Sequence, residues 1–579
     1  MRRTLIVLAA LAACGKVSSP GGGGGDGGGG GNGDGGDQPD ANPITELSVT
    51  LDVGTGGGTV VSDVGDIDCG SSCEATLDTG TEVTFTATPD EGSSFVAWRG
   101  AGARDCRRAT ECTVTLTGGP QEVGALFAEK GTAAWALQIG STVGDGGGQL
   151  VPDKNGDLFF AAQYSGLFEL GGESYENSGG SDIFLAKLSP GGEVIWAKGL
   201  GGAGSDGVAF IVPDPTSGDV VLGGYYTAAI DLGGREPLDI ADTEDMFVAK
   251  LAGDNGDLVW QKPIQVSDND GPGFEGLAVD TDGDVVVTGH FNTSFNIGGA
   301  TLTDPDQSMF LAKLKGADGT VDWQRKLGGV NYPHANQMVV DGSGNPIMIG
   351  TFNDTVDFAG DGSTGDMTSV GQRDAFIAKF AANNGSLTWQ HQVGGADDSS
   401  GGNDEGYGIA LGPNNTVVVV VHYKVNTSEQ VLFLGQNLAG SGTGVDLVVG
   451  KISASGGFVW AKRYGGAGNE TGYRVATFQD GRVAVTGGFT ADFDMNGHAV
   501  TLEGGSSDYF YAVLAAANGN ATFAGPTGSP LAESGTDQVA GFDDQLYGAG
   551  GFQGESSFFG KTLTSAGGFD GYGFVVALP

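Results

Sequence analysis

Positive charge is scarce in this chain. Its 579 residues carry 27 Lys and Arg against 71 Asp and Glu, a formal net charge of −44. Binding to nucleic acid or to an anionic lipid face needs clustered cations, so the composition argues against both. A cation or a basic partner stays open. Histidine is limited to His290, His334, His391, His422 and His498, with no spacing that marks a metal site. Cysteine is absent beyond Cys112, which removes thiol nucleophiles from the long C-terminal part. No Gly-x-Ser-x-Gly elbow, P-loop or dinucleotide fingerprint occurs. No segment after the N-terminus reads as a transmembrane helix.

Glycine is abundant instead, at 110 residues, while hydrophobic residues reach 39%. That combination supports a real core punctuated by many turns. The first residues, MRRTLIVLAALAACG, join two arginines to a short apolar run. The run is too short to span a bilayer and is read as a secretory signal over 1–13. Its end, Leu11-Ala12-Ala13-Cys14, resembles a bacterial lipobox. The resemblance implies cleavage before Cys14 and lipid on its thiol, anchoring the chain to a membrane. Gly15 in place of Asp implies the outer membrane or cell surface. Loss of Arg2 and Arg3 would leave 25 − 71 = −46. Residues 14–43 are almost all Gly, Asp, Asn and Pro, with nothing to bury, and are expected to form a flexible tether.

Residues 45–129 alternate apolar and polar side chains in ELSVTLDV, TEVTFTAT and CTVTLT, the period of half-buried strands. Cys69, Cys73, Cys106 and Cys112 fall inside this segment. An even count in an exported chain argues for two disulfides, of which three pairings exist. Short loops favour Cys69–Cys73 and Cys106–Cys112; a zinc site is the alternative. The order Cys69-Gly-x-x-Cys73, Phe95-x-x-Trp98-x-Gly100, Cys106, Cys112 resembles the divergent internalin-type B-repeat, a bacterial surface module. That resemblance implies a core Trp98 and a stalk or adhesion role.

From 130 to 579 the chain repeats itself. Trp135, Trp196, Trp260, Trp323, Trp389 and Trp460 recur at gaps of 61, 64, 63, 66 and 71, and Phe523 follows 63 residues later. Glycine stands four residues before each: Gly131, Gly192, Gly256, Gly319, Gly385, Gly456 and Gly519. A fixed register of this kind marks a repeated packing unit. Each unit offers four strand-like pieces, such as GLAVDTDGD, VVVTGHF, MFLAKL and VDWQRK, with an apolar–Gly–apolar hairpin inserted after the second. The array opens with a lone fourth strand, AAWALQIG, and closes on a third strand, GYGFVVALP. Pairing the two ends would close a ring and remove both free edges. The fold class expected is therefore all-β, a seven-bladed β-propeller closed by an N-terminal strand.

The phrase D-x-F-x-A-K-L, a glycine turn and a Trp resembles the bacterial seven-bladed propeller repeat family (SBBP). Asp182, Asp245, Asp374, Asp446, Asp508 and Asp570 keep the leading Asp, and Ser308 replaces it once. The family implies architecture and no shared reaction. The Gly-x-x-x-Trp turn also resembles quinone-dependent dehydrogenase propellers, but the period is longer and no quinone or calcium ligand set is visible. The seven aromatics are read as anchors between blades.

A carboxylate precedes or opens the first strand of most units: Asp145, Asp206, Glu275, Glu405, Glu470 and Asp537, with Asn336 in the remaining one. First strands line a propeller's channel, so these six are expected near one mouth. There they either take loop hydrogen bonds or form a cation ring, with calcium as the candidate. DTDGD at 280–284 resembles part of a calcium loop but also reads as an ordinary turn. No catalytic set emerges. The expectation is a non-enzymatic, monomeric, surface-anchored scaffold for a protein or glycan. The alternatives are a polysaccharide glycosidase or lyase using channel carboxylates, and an outer-membrane assembly scaffold.

Overall fold

A computed structural model describes Ile44–Leu578 apart from single residues and short loops, the longest being 395–402, 528–533, 268–272, 361–365, 426–430 and 439–443. Cys14 and the glycine-rich segment lie outside the described residues. No described helix is long and apolar enough to cross a membrane.

The first part is a two-sheet sandwich. One sheet joins Glu74–Asp78, Ile44–Val53, Gln121–Glu129 and Ser93–Arg99; the other joins Asp68–Cys69, Gly58–Ser62, Glu82–Pro89 and Glu111–Thr115. Alternating side chains meet between them, with Val60, Val83, Phe85, Trp98 and Phe127 fully buried. The Trp98 indole N–H reaches Ala109 O at 2.6 Å, satisfying the one polar group that its burial would strand. Cys69 pairs with Cys73 and Cys106 with Cys112.

The rest is built from antiparallel four-stranded meanders, seven among the described residues. Meander 1 runs Gln149–Pro152, Leu158–Tyr164, Asp182–Leu188 and Val194–Gly202. Meanders 2 to 6 begin at Asp206, Gly273, His334, Glu405 and Glu470. Meander 7 joins Ser534–Phe542, Gln545–Phe558 and Lys561–Ala577 to Ala133–Ile139 from the far end of the chain, with Phe574 opposite Ala136. Second and third strands are buried on both faces, as their unbroken apolar runs require. Each first strand lies beside the next, and Ser534–Phe542 returns to Gln149–Pro152.

The glycine–tryptophan register has a direct physical cause. The glycine of each meander lies on the aromatic ring of the meander before it. A Cβ on Gly192 would sit 3.0 Å from Trp135, on Gly256 2.8 Å from Trp196, on Gly319 2.8 Å from Trp260, and on Gly519 2.5 Å from Trp460. Gly319 also has φ +69, a conformation that side chains resist. The indoles of Trp135, Trp196, Trp260, Trp323 and Trp460 donate to Pro190, Gly253, Gly316, Ala382 and Ala516 carbonyls at 2.9–3.2 Å. Trp389 faces Gly456, and Phe523 faces Gly131 just before Ala133–Ile139.

The sandwich is packed on the seam where meander 7 meets meander 1. Val96, Ala97, Leu126 and Ala128 share a core with Trp135, Leu158 and Tyr547. Arg107 holds Asp157 with two bonds of 3.2 Å, and Arg99 donates to Gly191 O.

Candidate functional site

The acids near the first strands do not share one environment. Asp145 accepts from the Ser141 amide at 2.5 Å, Asp206 from Gly202 at 2.7 Å and Glu470 from Gly466 at 2.8 Å. Each spans four residues and closes the turn entering its meander. The Asp145 amide donates to Phe569 O and the Asp206 amide to Ser181 O, just ahead of Asp570 and Asp182 in the preceding meander. In meander 5 these contacts belong to Asp404, not Glu405. The Asp404 amide donates to Arg373 O, and its Oδ1 takes the Lys424 amide at 2.8 Å, as Asp145 takes that of Ser165. Asp145 and Asp404 stand equally far ahead of the aromatic that faces the third-strand acid, Tyr164 opposite Asp182 and Tyr423 opposite Asp446, and that spacing marks Asp404 in the sequence.

Glu275 lies elsewhere again, at a register shift between Phe274 and Gly276. Asp537 lies in a comparable irregular stretch, and its side chain is outside the described residues. Of the two readings of these acids, loop hydrogen bonds are what Asp145, Asp206 and Glu470 make. Among the described residues Asp145, Asp206, Glu405 and Glu470 join no shared cation-ligating group, because the entrance turns draw three of them to backbone amides.

Burial leaves its mark on these acids. Asp206 is pushed up to about 7 by burial, with the charge of Asp182 adding to it against the Gly202 hydrogen bond. Glu470 is likewise pushed up to about 7 by burial, with Asp446 adding. The third-strand acids explain the glycines at the ends of the fourth strands. A Cβ on Gly201 would fall 2.4 Å from Asp182, and one on Gly465 2.4 Å from Asp446. Where Ser308 replaces Asp, the matching Gly328 meets nothing.

The DTDGD turn holds a lysine rather than a cation site. Asp280 Oδ1 accepts from the Asp282 and Asp284 amides at 2.9 Å, while Oδ2 lies 2.8 Å from Lys313 Nζ. The same pairing joins Lys187 to Asp153 at 3.0 Å, Lys250 to Asp214 at 2.6 Å and Lys379 to Asp341 at 2.7 Å. These pairs account for the lysine of the repeated phrase.

Two clusters depart from the repeat. In the first, Glu275 Oε1 lies 2.7 Å from His290 Nδ1 and 2.6 Å from His334 Nδ1, and Oε2 takes the Ala335 amide at 2.9 Å. Burial would raise Glu275; the hydrogen bonds and charges of the two imidazoles outweigh it and hold it below the usual range. The sequence shows no metal spacing for these histidines, since the residues sit 15 and 59 positions from Glu275. Strand register alone brings them together. In the second, Tyr407 stacks on His422 at 4.0 Å, with Tyr473 6.3 Å away and Tyr509 a further 6.0 Å on. The Tyr407 hydroxyl donates to Glu405 Oε2 at 2.7 Å, and Arg373 Nη1 lies 3.5 Å from Oε1.

Residues 49–131 match the divergent InlB B-repeat domain. Trp98 and both cystine pairs lie within that span. No curated protein matches the chain. Among solved structures, BamB from Moraxella catarrhalis is similar at 11% identity over 76% of this chain and 97% of that one, with TM-score 0.32. A catalytically inactive variant of virginiamycin B lyase from Staphylococcus aureus is similar at 8% identity over 76% and 98%, with TM-score 0.36. Quinohemoprotein alcohol dehydrogenase from Comamonas testosteroni is similar at 11% identity over 77% and 76%, with TM-score 0.32.

Proposed function

We propose that this chain is a non-enzymatic binding lipoprotein: a seven-bladed β-propeller of the SBBP type, joined to a B-repeat and tethered at a bacterial surface through lipid on Cys14. The ligand is a glycan. The observation that carries this reading is the Tyr407–Tyr473–Tyr509 run beside Glu405 and Arg373. Tyr407, Tyr473 and Tyr509 keep part of their surface in solvent. Aromatic faces offer apolar area, and flanking charged groups and hydroxyls fix orientation by hydrogen bonds.

Calorimetry of the full chain against bacterial surface polysaccharides tests this. Binding without turnover is expected, weakened at least about tenfold by Tyr473→Ala in a protein that melts normally, since one aromatic contact of ~1.5 kcal/mol corresponds to that factor. Chain cleavage of the glycan would instead make the protein an enzyme. Palmitate labelling lost in Cys14→Ser, with release of the protein from membranes, is expected for the tether.

A further inference from the structure

We propose that Glu275, His290 and His334 form a zinc-type metal site at the boundary between meanders 3 and 4. The three ligand atoms, Glu275 Oε1 and the two Nδ1 nitrogens, all lie within 4.8 Å of one another. Zinc bonds imidazole nitrogen and carboxylate oxygen at about 2.0–2.2 Å, so an ion seated among three such atoms needs only small side-chain shifts. Two imidazoles and one carboxylate leave positions open for water or a ligand.

The repeat does not require Glu275 or His334 at their positions. At the shifted position that Glu275 occupies, the neighbouring meanders carry Ala209, Asn336, Tyr407 and Tyr473. At the place of His290 stand Tyr225 and Thr351 in meanders 2 and 4, and a second histidine, His422, in meander 5. Room for the His290 ring comes from Gly273, where a Cβ would fall 1.9 Å from the imidazole. Two departures from the repeat, Glu275 and His334, thus converge with His290 on one point, from three strands of two meanders.

The surroundings suit a cation. Oε2 of Glu275 is fixed by the Ala335 amide, which orients the carboxylate and leaves Oε1 toward both rings. The rings meet edge to face, centroids 4.7 Å apart. The Glu275 and His290 side chains are 9% and 13% exposed, while that of His334 is 37% exposed, giving a route from solvent. Metal binding would displace any proton from both Nδ1 atoms, leaving each ring's remaining proton on Nε2. The net charge of −44 raises cation concentration near the protein.

The test uses the full chain without a histidine tag, stripped with a chelator and titrated with zinc against a chromophoric competitor. One equivalent is expected to bind, and cobalt in its place should give visible d–d bands. Glu275→Gln and His334→Gln should each weaken zinc at least tenfold, while Asp206→Asn leaves it unchanged. His334 is partly exposed, so its variant keeps the test sound if Glu275→Gln fails to fold. Excess calcium should not displace the zinc. No stoichiometric zinc binding, binding indifferent to both variants, or displacement by calcium would each overturn the site. Glycan binding that persists after chelation leaves the proposed function standing, so the two ideas fail separately.

Discussion

At the scale of single residues, the buried acids make stability depend on pH in a stated direction. Asp206 and Glu470 titrate near 7 in the fold, above the ordinary carboxylate range, chiefly through burial. The folded state therefore holds protons that the unfolded chain has released. Their contribution is fully present below about pH 4 and is lost as pH rises toward 7. The melting temperature is expected to rise on acidification from pH 7.5 to 5. Asp206→Asn should flatten that slope, because an amide keeps an acceptor for the Gly202 amide and cannot ionise. An unchanged slope, measured by calorimetric scans across that range, would remove Asp206 from the account. A second residue-scale expectation concerns Gly319, at φ +69 with Trp260 behind it. Gly319→Ala should cost more than about 1 kcal/mol, since both the backbone and the indole oppose a methyl group. Denaturant melts read this directly.

At the scale of one strand and its turn, the lysine of the repeated phrase makes a checkable pair. Lys313 and Asp280 are both nearly buried, so removing one partner strands the other's charge. Lys313→Met alone should cost about 3–5 kcal/mol. Asp280→Asn keeps the acceptor used by the Asp282 and Asp284 amides, and combined with Lys313→Met it should recover a large part of that loss. Additive losses in the double-mutant cycle would show that the two groups act independently. This element also shows what the sequence could and could not reveal. Strand number, order and the Gly–Trp register were legible, because each follows from periodicity and local turn chemistry. The Lys–Asp pair was not. DTDGD looks the same whether an ammonium or a metal neutralises it, and only the third strand's register delivers Lys313. The histidine cluster was hidden for the same reason: its members come from three strands, and no local pattern encodes a side-to-side meeting of two sheets. Asp404 and Glu405 cannot be told apart by residue type, because only the fold decides which of two adjacent carboxylates takes the Lys424 amide.

At the scale of the whole molecule, the ends of the array decide its integrity. Ala133–Ile139 supplies the only described fourth strand that lies more than 400 residues from its partner, opposite Gly571–Val576. Every other described meander closes locally, so among the described strands this is the one whose ladder joins the start of the array to its finish. Packing reinforces it: Phe523 meets Gly131, Trp135 meets Gly192, and the sandwich covers the same seam through Val96, Leu126 and the Arg107–Asp157 pair. Replacing 133–139 by a Gly-Ser segment of equal length would leave the third strand of meander 7 as an open, apolar edge, which seeks a second chain. The variant is expected to form dimers or larger species by light scattering and to lose a single cooperative melt. Arg107→Ala, which removes one ion pair and leaves the strand in place, should keep the protein monomeric with at most about 1 kcal/mol lost. If the Gly-Ser replacement stayed monomeric with one transition, the long-range strand would be ornament, and closure would rest on the aromatic contacts between neighbouring meanders.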